Sequence, residues 1–88
     1  MTRLRPRADV RYRQIDGEAV VLRQDAGETL VLNEAGALIL DRLAQGQEPA
    51  AVVAELVARF EVNAATAAAD VQAFAAELES AGILEAEK

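Results

Sequence analysis

Ser80 is the only serine in the chain, and no histidine or cysteine occurs anywhere in its 88 residues. A hydroxyl becomes a nucleophile when a neighbouring base takes its proton, and here the commonest such base is absent, as is the commonest thiolate. Thiolate and imidazole metal sites are excluded with them, and so is any disulfide. Fifteen carboxylates remain, which could serve as an acid–base pair or as oxygen ligands for a hard cation. They recur at the spacing of solvated helix faces, and none follows the Asp/Glu/Gly order of a calcium loop. Gly17, Gly27, Gly36, Gly46 and Gly82 are isolated from one another, so no phosphate-cradling loop is built. The residues thus predict no catalytic centre, no metal site and no cofactor. The chemistry left is that of the backbone: unpaired N–H and C=O groups along a strand edge, with apolar side chains beside them.

Such an edge needs a sheet, and the first half of the chain predicts one. Val10–Ile15 alternates in part, and Asp16-Gly17 after it accepts the positive φ angles of a tight hairpin turn. Glu18–Arg23 reads as a second strand, Asp25-Ala26-Gly27 as a turn, and Glu28–Leu32 as a third strand. Loops this short imply a three-stranded antiparallel meander. A two-residue first turn and an even-length second loop would put Tyr12, Ala19, Val21, Leu30 and Leu32 on one face. Val20, Leu22 and Val31 would then share the other face with Arg11 and Arg13, whereas an odd second loop would reverse the partners of the second strand.

After Asn33 the apolar period becomes helical. Asn33 can cap a helix beginning at Glu34, with Leu38, Ile39 and Leu43 as its stripe and Gly46 as its end. Pro49 suits the first position of a second helix, in which Val52, Val53, Leu56, Val57 and Phe60 repeat at helical spacing. Asn63 or Thr66 can cap a third, over about Ala65–Ala81, with Val71, Phe74, Leu78 and Ala81 along one side. Gly82 ends it, and Ile83-Leu84 packs back as an apolar tail. Twenty alanines, concentrated in these segments, favour helix and close packing. The order defines an α+β fold, winged-helix-like, with the three-stranded antiparallel sheet followed by three helices.

Charge narrows the partners. Residues 1–23 carry six arginines against three acids, and the remaining residues three bases against twelve acids, for a net charge of −6. The predicted layout is a basic, solvated arm over 1–9, a domain over 10–84 and a tail over 85–88. No apolar run approaches the roughly 20 residues of a membrane helix, and the basic start has no apolar stretch behind it. A soluble cytoplasmic domain with no membrane partner is expected. A winged helix that reads DNA puts Lys or Arg on its recognition helix, yet residues 64–81 contain neither and carry Asp70, Glu77 and Glu79. No nucleic-acid partner is expected. An edge at Thr29-Leu30-Val31-Leu32, without proline or lysine to blunt it, invites an added strand. The alternatives are that Ile83-Leu84 covers it, or that a second copy does in a homodimeric interaction domain.

Val21-Leu22 through Leu32-Asn33-Glu34-Ala35-Gly36, Ile39–Leu43 with Gly46, Val52–Leu56, Asp70-Val71…Phe74…Leu78 and Ala81-Gly82-Ile83-Leu84 occur together in one order and spacing. That arrangement resembles the PqqD family from about Val10 to Leu84. The resemblance implies a recognition element for ribosomally made, post-translationally modified peptides in natural-product biosynthesis. Such an element binds the leader of a precursor peptide and presents it to a modifying enzyme, such as a radical-SAM protein, or to a leader peptidase. It also implies that the leader lies beside the third strand, in a groove with the third helix. Here that means Glu28, Thr29, Leu30, Val31 and Leu32, facing Asp70, Val71, Phe74, Glu77 and Leu78. Members dedicated to pyrroloquinoline quinone synthesis tend to have Pro-Glu after the second strand, where this chain reads Arg23-Gln24-Asp25-Ala26-Gly27-Glu28. A lasso-peptide or other leader-binding pathway is equally open.

Overall fold

Asp16 and Gly17 both take positive φ, 51° and 84°, the geometry that folds two twisted strands back on each other across two residues. The structure, a computed structural model, describes residues 4–86. In chain order its elements are β1 (Leu4–Pro6), β2 (Val10–Ile15), β3 (Glu18–Arg23), β4 (Glu28–Leu32), α1 (Glu34–Ala44), α2 (Pro49–Phe60), α3 (Ala64–Ser80) and β5 (Leu84–Ala86). The antiparallel sheet runs β2-β3-β4, so the expected α+β arrangement of meander and three helices is what forms.

Register follows from the turns. Tyr12 lies opposite Val21 and Val21 opposite Leu30, while Ala19 pairs with Leu32 across the four-residue loop 24–27. The even second loop is therefore the one realised. Ala19 and Val21 are fully buried under the helices, whereas Leu22 and Val31 on the opposite face stay exposed. The register also sorts the backbone groups. Gln24 donates its N–H to the Asp9 carbonyl at 2.9 Å, across the pair that continues the β2–β3 ladder. Hydrogen-bonded and non-bonded pairs alternate along an antiparallel ladder, and a residue's N–H and C=O point the same way. Leu22 and Val20 thus face β2, and Arg23, Val21 and Ala19 face β4, where they meet Glu28, Leu30 and Leu32. The N–H and C=O groups of Thr29 and Val31 point away from the sheet.

Local signals set the helices. Asn33 accepts the Gly36 N–H at 2.9 Å on its side-chain oxygen, and Asn63 accepts the Thr66 N–H at 2.8 Å, which makes Asn63 the third cap. Replacing Asn33 by alanine orphans one of the donors at the helix start. It is expected to cost about 1 kcal/mol, read as a lowered urea midpoint at unchanged m-value. Pro49 opens α2, and Gly82 follows α3 at φ 77°. A Cβ there would also stand 2.9 Å from the Arg23 guanidinium, so both backbone and space favour glycine. α1 is buried on more sides than its Leu38-Ile39-Leu43 stripe implies. Ala37 and Leu40 are buried too, because β3 flanks it on one side and α2 and α3 on others. The core closes with Val52, Leu56, Val71, Leu78, Ile83 and Leu84.

The chain ends differ from the expectation. Leu4–Pro6 is not a solvated arm: it pairs antiparallel with Leu84–Ala86, Leu4 opposite Ala86 and Pro6 opposite Leu84. Arg5 meets Glu85 at 3.1 Å and Arg7 meets Asp9 at 3.7 Å, so part of the basic charge is spent locally. Met1, Thr2 and Arg3 of the expected arm, and Glu87 and Lys88 of the tail, lie outside the described residues. Ile83-Leu84 packs into the core as expected, but β5 joins β1 and leaves β4 an open edge.

A polar network ties sheet to helices. The Tyr12 hydroxyl donates to Asp41 at 3.1 Å, and Arg42 holds Glu55 through two bonds of 2.9 Å. Burial, then the Asp41 hydrogen bond, pushes the Tyr12 phenol up to about 12. The unfolded phenol ionises near 10, so the folded state keeps a proton that the unfolded state gives up. The stability this supplies is whole below pH 10 and is lost as pH rises to about 12. Urea melts of the parent are expected to weaken over that interval and those of Tyr12→Phe to weaken less; parallel profiles would contradict it. Arg42 holds the Glu55 carboxyl below its ordinary range, so that contribution fades instead as pH falls through the carboxylate range.

Candidate functional site

One side of the candidate site is the outer edge of β4, with which nothing pairs among the described residues, although no β4 residue lines the cleft itself. The other side is α3. Asp70, Phe74 and Glu77 recur four and three positions apart, which places them on one helix face, and all three line a cleft of about 290 Å³. Its floor comes from the start of α1, where Asn33, Ala35, Gly36 and Ile39 line the same cleft. β4 and α3 hardly touch directly. Gly36 is where they converge: a Cβ built there would lie 3.2 Å from the Phe74 ring and 3.4 Å from the Leu32 Cβ. The missing side chain lets the ring lie close over the turn, and the space between β4 and α3 stays open.

Of the ten expected site residues, Asp70, Phe74 and Glu77 line the cleft. Thr29 and Val31 present outward backbone groups, and Leu30 and Leu32 turn their side chains to the helix side of the sheet. Glu28 is at the far end of the strand and is occupied by Arg23. Val71 and Leu78 are not in the cleft. At 1% and 2% exposure they belong to the core, because the apolar stripe of α3 faces α1 and α2, and only Phe74 straddles core and cleft. Ile39 and Gly36, which the sequence reading did not single out for the site, also line the cleft. Ile39 reads as core from its periodicity, and it is indeed 4% exposed while also flooring the cleft.

Neither Asp70 nor Glu77 is in an ion pair among the described residues, and the seventeen residues of α3 include no Lys or Arg. No cluster of three or more His, Cys, Asp or Glu side chains suited to a metal occurs among the described residues. No helix there is long and apolar enough to cross a membrane. A larger groove of about 650 Å³ lies on the other face of α3, against Pro49, Ala50 and Val53 of α2. Leu4 of β1 and Ala86 of β5 line it as well, at the rim of the two-stranded sheet. What the first cleft can do is accept an extended chain: main-chain bonds along β4, and side chains lodged against Ile39 and Phe74.

The fold is an α+β domain in which an unpaired strand edge lies near a helix-lined cleft. The chain belongs to the PqqD family: the model of that family, described as coenzyme PQQ synthesis protein D, matches residues 18–84. Two solved structures share the fold. One, "Lasso peptide synthetase B1 complexed with the leader peptide", is 33% identical with a TM-score of 0.85, over 93% of this chain and 96% of that one. The other, "TbiB1 in Complex with the TbiA(beta) Leader Peptide", is 26% identical with a TM-score of 0.86, over 96% and 98%. No curated protein sequence matches significantly.

Proposed function

We propose that the chain binds the leader segment of a ribosomally made precursor peptide by strand addition on β4 and presents it to a modifying enzyme or a leader peptidase, without catalysing a step itself. The observation that carries this reading is the outward row of Thr29 and Val31 backbone groups, set beside an apolar cleft. Family membership and two relatives described in complex with leader peptides support it. Thr29, Leu30, Val31 and Leu32 with Asp70, Phe74 and Glu77 make up the proposed contact surface, and Ile39 and Gly36 join it as floor. Such a module works in the cytoplasm, where precursor peptides are made, and the enzyme that receives the leader is a separate partner in this reading.

The test is calorimetric titration with the leader half of a short precursor encoded beside the chain. Saturable one-to-one binding is expected; absence of heat from every such leader would sink the proposal. Mobility-shift assays with duplex DNA at physiological salt should show nothing, since α3 offers acids where a DNA reader carries bases. A salt-sensitive shift at low-micromolar protein would instead favour the DNA-reading winged helix.

A further inference from the structure

We infer that the cleft selects leaders by charge as well as by apolar fit, taking an extended segment whose alternate side chains read basic–apolar–basic. The inference rests on the peptide-binding reading above and names the chemistry of the ligand. Its ground is the order of groups along α3: Asp70, then Phe74, then Glu77, all lining one cleft. Phe74 packs against the core with part of its surface exposed, and it forms the apolar middle of the wall over Ile39 and Ala35. A carboxylate stands on each side of it, exposed and held by no arginine among the described residues.

Spacing turns that order into a pattern. Along the helix axis Asp70 lies about 6 Å and Glu77 about 4.5 Å from Phe74, at 1.5 Å of rise per residue. In a strand laid on β4, side chains on the cleft side recur every second residue, roughly 6.7 Å apart. Leu32 and Phe74 meet at Gly36, and Arg23, opposite Glu28, meets Gly82 just after α3, so β4 runs alongside the helix. A central apolar side chain seated at Phe74 therefore brings the residues two before and two after it beside the two carboxylates. Lysine and arginine reach the small remaining difference with their flexible stems, and aspartate or glutamate at those places would meet like charge. Arg23, the only base of β3 and β4, is engaged with Glu28 and sits beyond Glu77, against Gly82 after the end of α3.

The experiment pans a displayed library of random 15-residue peptides against the immobilised full chain. Four forms are compared: parent, Asp70→Asn/Glu77→Gln, Asp70→Lys/Glu77→Lys and Val31→Pro, each checked for native circular dichroism. Parent-selected peptides are expected to be enriched in Lys or Arg two positions either side of an apolar residue. A synthetic peptide of that pattern should bind the neutral variant roughly fivefold more weakly, the size that two exposed ion pairs supply. The lysine variant should enrich acidic flanks instead. Apolar peptides recovered without any flanking charge preference, or a lysine variant that selects the same flanks as the parent, would overturn the inference and leave strand addition standing. Recovery that is equal from parent and Val31→Pro, or nil from both, would overturn strand addition itself.

Discussion

Val31→Pro will leave the domain folded and weaken capture of a leader peptide by about fivefold or more. The N–H of Val31 points out from β4, so proline removes no bond from the sheet. Proline also restricts the preceding residue to extended backbone, and Leu30 is already extended within β4. An incoming strand, in contrast, loses a donor at the middle of its ladder, and one of its carbonyls is desolvated without a partner. That penalty is about 1–3 kcal/mol, or roughly five- to 150-fold in affinity. Calorimetry with a leader that binds the parent reads the effect, and circular dichroism confirms the fold. Parent-like affinity in a folded Val31→Pro would locate the peptide elsewhere, with the exposed sheet face of Val20 and Leu22 the next surface to probe.

Leu30→Pro, one residue away, is expected to fail in the opposite manner. Leu30 faces Val21 across the ladder, and the alternation directs its N–H to β3. Proline there removes a sheet hydrogen bond and leaves an acceptor on β3 unpaired in a partly buried setting, a loss of roughly 1–3 kcal/mol. For a domain of this length the melting temperature should fall by about 10 °C or more. Thermal melts of both proline variants side by side decide the matter: a large drop for Leu30→Pro and a small one for Val31→Pro. The reverse ranking would mean that the register is displaced by one residue and that every outward group has been assigned to the wrong position.

Much of this arrangement could be read from local chemistry. Asp16-Gly17 announces the hairpin because only residues at ease with positive φ fit that turn, and the turn fixes Tyr12 against Val21. Asn33, Pro49, Asn63 and Gly82 mark the helix ends for equally local reasons. What stayed hidden depends on contacts distant in sequence. Leu4–Pro6 is three residues long and meets Leu84–Ala86 at the other end of the chain, so no nearby pattern announces the pairing. The site was half legible. Helical periodicity puts Val71, Phe74 and Leu78 on one broad stripe but does not say where the core stops and the cleft starts. That boundary is drawn by Gly36, whose missing Cβ lets Phe74 lean over α1; a glycine early in a helix reads as permissive backbone, not as a socket for a ring. Leu40 fell outside the predicted stripe because α1 is surrounded, and a helix wrapped on several sides loses its amphipathic signature.

The pairing of β1 with β5 makes the domain a plug-in part. The first and last described residues, Leu4 and Ala86, lie opposite each other, while the open edge of β4 belongs to a separate sheet. Spliced into a surface loop of another protein, the domain would need no spanning linker at either junction, and host and guest would fold without pulling on each other. Fused at either end, an enzyme would sit at nearly the same place relative to the cleft, so amino- and carboxy-terminal fusions would hand a captured peptide over from equivalent positions. Joining the ends with a short loop and reopening the chain at Gln24–Gly27 would, by the same geometry, yield a permuted domain whose new termini flank the start of the receiving strand.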